Sequence, residues 1–125
     1  MTKRDRNQGQ LEAEVLEILW DARESSTPAL SSGEILSRLD GDLALTTVLT
    51  VLTRIVDKGL VARRPAEGRG FVFEAAKTRE QHHAELLLKI VDGDSNLALT
   101  FAHFAKGLSP ESLKSLRESL GSGDE

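Results

Sequence analysis

Leu45-Thr46-Thr47-Val48-Leu49-Thr50-Val51-Leu52-Thr53-Arg54-Ile55-Val56-Asp57-Lys58-Gly59 is the stretch whose reading decides the fold. At ~100° per residue around a helix axis, with Val48 at zero, Leu45, Leu49, Val51, Leu52, Ile55 and Val56 join it on one broad apolar arc. The other face collects Thr46, Thr47, Thr50, Thr53, Arg54, Asp57 and Lys58, and Gly59 supplies the left-handed stop of a helix end. Threonine is a poor helix former, and a solvated helix face ordinarily carries long Glu, Lys, Arg or Gln side chains instead. Capping of the helix start accounts for Thr46 or Thr47 and leaves Thr50 and Thr53 unexplained. Short hydroxyl side chains let a helix approach closely in the major groove, bonding phosphates or base edges and laying methyl groups against thymine methyls.

Working outward toward the N-terminus, Leu11, Val15, Ile18, Leu19 and Ala22 form one stripe of a first helix ending near Arg23, with Trp20 beside it. Residues 24–30 read as a loop, with a few extended residues after Pro28. Ser31 with Glu34 three residues on has capping-box spacing and opens a second helix with apolar Ile35, Leu36 and Leu39, which Asp40-Gly41-Asp42 ends. Toward the C-terminus, residues 60–64 and 71–75 read as two short strands joined by Pro65-Ala66-Glu67-Gly68-Arg69-Gly70. Helix, short extended segment, helix, helix and hairpin is the element order of a winged helix-turn-helix. From Arg54 to Lys77 six basic residues (Arg54, Lys58, Arg63, Arg64, Arg69, Lys77) face three acids (Asp57, Glu67, Glu74), a local +3 in a chain of net charge −4. Arg69 lies between two glycines at the hairpin tip, where a wing sends a side chain toward flanking phosphates or the minor groove; a solvated basic tip is the competing reading. Lys3, Arg4 and Arg6 read as a polar flexible arm within reach of phosphate.

Beyond the hairpin, Thr78 with Gln81 opens a fourth helix to about Val91, with apolar Ala84, Leu87, Leu88, Ile90 and Val91. After a turn at residues 92–96, residues 97–105 form a fifth helix that is apolar nearly all round. Ser109-Pro110-Glu111 starts a sixth, with a stripe of Leu113, Leu116 and Leu120. A helix apolar on every side must be buried on every side, and three short helices do not cover that surface themselves. A second copy of the chain does, through Leu87, Ile90, Val91, Leu97, Phe101, Phe104, Leu113 and Leu116. A two-fold pair also presents two reading helices to a palindromic site. The alternative is that these helices fold back on the winged domain.

The composition removes other classes. The 125 residues contain no cysteine, which leaves no disulfide, thiolate metal site or Cys nucleophile. No apolar run approaches the ~18–20 residues that cross a bilayer, and the N-terminus is polar, so a cytoplasmic location without membrane insertion is expected. His82 and His83 are adjacent on a helix and point to different sides, and His103 has no carboxylate at i±3 or i±4, so no metal site is expected. Neither a glycine-rich phosphate loop nor a nucleophile elbow occurs, so neither an enzyme nor a cofactor is expected. The rivals to a DNA-binding repressor are a winged-helix module whose threonine face meets another protein and a repressor that senses a small molecule.

Residues 43–61 closely resemble the recognition-helix region of the penicillinase and methicillin-resistance (BlaI/MecI-type) repressors. Leu11 to Trp20 is similar to their first helix, Gly68 to Phe73 to their wing, and Leu97 to Phe104 with Leu108-Ser109-Pro110-Glu111 to their dimerisation region. The resemblance implies a dimeric repressor on operator dyads, commonly of the TACA/TGTA kind, in front of resistance or cell-envelope genes. It implies DNA contacts from Thr46, Thr47, Thr50 and Arg54, to which the basic segment adds Lys58 and Arg69. Leu49 stands where relatives carry an arginine aimed at DNA. Thr100-Phe101 stands where they carry an Asn–Phe bond cut by a membrane-bound sensor metalloprotease. The expected fold is mainly α with a small β-hairpin: a flexible arm over 1–10, a winged helix-turn-helix domain over 11–76, an α-helical dimerisation region over 77–120 and a disordered tail over 121–125.

Overall fold

The computed structural model describes residues 7–122. Its elements run α1 (Gln8–Arg23), β1 (Leu30–Ser31), α2 (Ser32–Ser37), α3 (Leu45–Asp57), β2 (Val61–Pro65), β3 (Phe71–Ala75), α4 (Arg79–Val91), α5 (Leu97–Gly107) and α6 (Pro110–Ser122). The chain divides into two units, the first ending at Ala84 and the second beginning at Glu85.

The first unit is a winged helix-turn-helix. β1, β3 and β2 form one antiparallel sheet in that order, with Leu30 opposite Phe73 and Val61 opposite Ala75. Leu19, Leu30, Ile35, Val48, Leu52 and Ile55, each at most 1% exposed, form the centre of the core. Around them pack Leu11, Val15, Leu16, Trp20, Val61 and Phe73. Trp20 and Leu16 lie inside this core, beyond the stripe that spacing alone assigns. The indole resolves its one polar atom by donating from Nε1 to the Lys77 carbonyl at 3.1 Å.

The starts of α1, α2 and α4 are set by reciprocal side-chain caps. Ser31 and Glu34 exchange bonds at 2.8 and 3.1 Å at the start of α2, and Thr78 and Gln81 do the same at 2.9 and 3.0 Å before α4. The Ser31 backbone N–H, and after it the Ser31 hydroxyl, hold the Glu34 carboxyl below the usual carboxylate range. Asn7 and Gln10 form a third such pair, each bond 2.8 Å, so α1 begins at Gln8 and residues 8–10 belong to the helix instead of a flexible arm. Lys3, Arg4 and Arg6, like residues 123–125, lie outside the described residues, whereas Gly121 and Ser122, expected in a disordered tail, belong to the last turn of α6. Gly59, at φ +79°, makes the left-handed turn after α3.

Arg79, in the first turn of α4, clasps α1. Its Nη2 lies 2.6 Å from Glu17 Oε1 and 3.3 Å from Asp21, and its guanidinium stacks 5.3 Å from the Trp20 ring. The hydrogen bond to Glu17 above all raises its pKa still further. His82 and His83 both reach that indole, at ring distances of 5.4 and 6.0 Å, because the large ring spans the two directions in which adjacent helical residues point.

In the second unit, α5 is capped by the Asn96 side chain on the Leu99 N–H and α6 by Ser109 on the Ser112 N–H. None of its described residues is buried.

Candidate nucleic-acid interface

α3 combines a narrow buried stripe with a wide open face. Val48, Val51, Leu52 and Ile55 fill the core, and Val56 is half-buried. Leu45 and Leu49, expected on the packed arc, are 43% and 39% exposed. At about 100° per residue they fall 60–100° to one side of Val48, past the edge of what α1 and α2 cover.

Thr46, Thr47, Thr50 and Thr53 are all exposed. The N-cap residue is Ala44, which offers no side-chain bond, so none of the threonines is the cap. The hydroxyls of Thr50 and Thr53 instead donate to the carbonyls of Thr46 and Leu49, one turn back, at 2.9 Å each. That bond satisfies the hydroxyl proton within the helix and leaves oxygen lone pairs and a methyl group facing out. The outer surface is thus short, acceptor-bearing and partly apolar, with Leu45 and Leu49 along one edge.

Along the opposite edge the cations are tied to α1. Lys58 Nζ lies 2.8 Å from Glu12 Oε1, and Arg54 Nη1 lies 4.0 Å from Glu12 Oε2. Nothing in the sequence around Glu12 marks it as part of this face. It lies 46 positions from Lys58, and only the packing of α1 on α3 brings the two together.

The wing follows from pairing of β2 with β3, closed at its tip by the Ala66 N–H donating to the Gly70 carbonyl at 3.0 Å. Gly70, at φ +79°, lets the chain reverse there. Arg69 stands exposed at this tip between Gly68 and Gly70. Arg63 stacks 4.6 Å above the exposed Phe71 ring, and Arg64 pairs with Glu74 at 2.9 Å.

The residues expected at a subunit contact occupy the second unit and the end of α4. Leu87, Ile90, Leu97, Phe101, Phe104 and Leu116 are exposed, between 37% and 73%, while Val91 and Leu113 are half-buried. Thr100 is half-buried and donates its hydroxyl to Asp94 at 2.8 Å, next to the exposed Phe101. No helix among the described residues is long and apolar enough to cross a membrane. Among those same residues no group of three or more His, Cys, Asp or Glu is placed to hold a metal ion.

A comparison with curated proteins gives no significant match. Residues 8–122, almost the whole of the chain and all of the elements above, match the family described as penicillinase repressor. The chain, with its winged helix-turn-helix and its appended apolar helices, therefore belongs to the penicillinase repressor family of DNA-binding transcriptional repressors.

Proposed function

We propose that the chain is a homodimeric cytoplasmic repressor that binds two-fold operator DNA, with α3 of each copy in the major groove and the wing on the flanking backbone. The observation that carries this reading is the open face of α3, four exposed threonines opposite a fully buried stripe. Thr46, Thr47 and Thr50 meet phosphates and base edges, Arg54 a base edge, and Lys58 and Arg69 phosphates. The exposed Leu49 offers a methyl-bearing surface to thymine where related repressors offer a charge.

Dimerisation is supported by the ten large apolar side chains between Leu86 and Leu120 that stand exposed in one copy. Each has about half its surface left to bury, roughly 1 kcal/mol apiece, on the order of 10 kcal/mol for one copy and 20 kcal/mol for the two copies of a pair. That sum is enough to offset the ~4–15 kcal/mol that association costs, and the loss of any large part of this face removes the surplus. Cleavage at Thr100–Phe101 by a membrane-bound sensor metalloprotease would split α5 between Leu97 and Leu99 on one side and Phe101 and Phe104 on the other. It would thereby release the operators, in front of antibiotic-resistance or cell-envelope genes.

The test is a gel shift of fragmented genomic DNA at moderate salt. The expected result is retention of a small set of fragments against excess random competitor. Uniform retention, or none, contradicts the reading in favour of a module that binds protein.

A further inference from the structure

Glu12 belongs to α1, outside the reading helix, and its side chain is only 13% exposed. Its two oxygens face two cations on the same edge of α3, with Oε1 bonding Lys58 Nζ at 2.8 Å and Oε2 facing Arg54 Nη1 at 4.0 Å. Arg54 Nη1 is out of contact with solvent and has no hydrogen-bond partner among the described residues. The side chain as a whole is nevertheless 38% exposed, so its accessible part lies elsewhere than at Nη1. An acid on a surface that meets phosphate repels the ligand and weakens binding unless it does something else there.

Resting on the operator-binding reading above, we propose that Glu12 is a positioning residue for sequence recognition, which orients Arg54 from behind for base contact. The long arginine side chain samples many rotamers when free. A carboxylate that attracts Nη1 restricts it and leaves the Nε and Nη2 hydrogens as a parallel pair of donors. That edge has the geometry that grips guanine O6 and N7 together. Lys58 holds the carboxylate in place through its other oxygen, so the three side chains act as one charged unit in which only Arg54 reads a base.

A merely neutralising Glu12 affects all DNA alike, whereas a positioning one affects selectivity and acts only through Arg54. The full-length protein, Glu12→Gln, Arg54→Ala and the double variant are therefore titrated onto two duplexes. One is recovered from the fraction retained in the gel shift, and the other is scrambled to the same length and composition. Glu12→Gln is expected to lower the ratio of the two affinities about five- to tenfold, and to lower it no further once Arg54 is gone.

An unchanged ratio, an equal drop in the Arg54→Ala background, or equal tightening on both duplexes overturns the assignment while leaving the operator reading intact. A wild-type protein that does not distinguish the two duplexes overturns both. Circular dichroism and the thermal midpoint verify folding. If Glu12→Gln folds poorly, Glu12→Asp withdraws the carboxylate by one methylene at constant charge; loss of selectivity supports the proposal and full retention overturns it.

Discussion

The two units treat apolar side chains in opposite ways. In the first, sixteen hydrophobic residues from Leu11 to Ala75 are buried together, and the helices and sheet close around them without help. In the second, the helices are well capped and regular, yet leave Phe101, Phe104, Leu97 and Leu99 about half exposed. Capping and propensity suffice to specify helices, but on their own they supply no core, and most helical stability comes from a covered apolar face. The first unit is therefore stable by its internal packing, while the second depends on what covers it. That division suits the dimeric repressor proposed above, in which the unit assigned to DNA need not be damaged for the unit assigned to pairing to fail.

The largest expected effect lies in the first unit. Leu52 is fully buried, so Leu52→Ala should cost about 2–5 kcal/mol of unfolding free energy in a denaturant titration. A loss below 1 kcal/mol would mean that this core is looser than its burial indicates. In the second unit, Phe101→Asp with Phe104→Asp should change association instead of folding. Sedimentation equilibrium should show the dimer constant weakened by about 2 kcal/mol or more, roughly thirtyfold, with the circular dichroism of the first unit's core kept. A drop in the stability of both units together would erase the distinction between them.

Arg54→Ala separates recognition from folding inside the first unit. It should weaken binding of the selected duplex by about 1–3 kcal/mol with little change in thermal midpoint, and equal affinity would remove Arg54 from the docked surface. The smallest effect is at Glu34. Its carboxyl titrates below its ordinary value when folded. It therefore contributes stability that is complete above that ordinary value and is lost as pH falls through the lowered one. Glu34→Gln should flatten this part of the acid limb of a stability–pH curve, and an unaltered limb would count against the Ser31 cap as its source.

Much of the first unit was legible because its punctuation is local. Ser31 with Glu34, Thr78 with Gln81 and the glycines around Arg69 each act within a few residues, and the structure has caps and a turn at those places. Asn7 with Gln10 has the same chemistry but is masked in the sequence, since Gln8, Gly9 and Gln10 precede the first apolar residue and look like an arm. Leu45 and Leu49 fall on the apolar arc yet stand exposed, because an apolar side chain on a helical wheel has no label for where its neighbours end. The contacts of Glu12 with Lys58 and of Arg79 with Glu17 span 46 and 62 positions. Periodicity carries no information about which side chains of two packed helices come opposite one another. For the site, the hydroxyl-rich face was visible from residue types alone, whereas the carboxylate behind its cations was not.

The most direct test of the central claim, that the threonine face of α3 reads a DNA dyad, is selection of bound duplexes from a random-sequence pool by the full-length protein. The account predicts convergence on an inverted repeat with half-site centres one helical turn, about 10 base pairs, or a multiple of it apart. It also predicts that this preference disappears when Thr46, Thr47 and Thr50 are replaced by alanine. A pool that fails to converge, or one that converges equally well without those threonines, would contradict it.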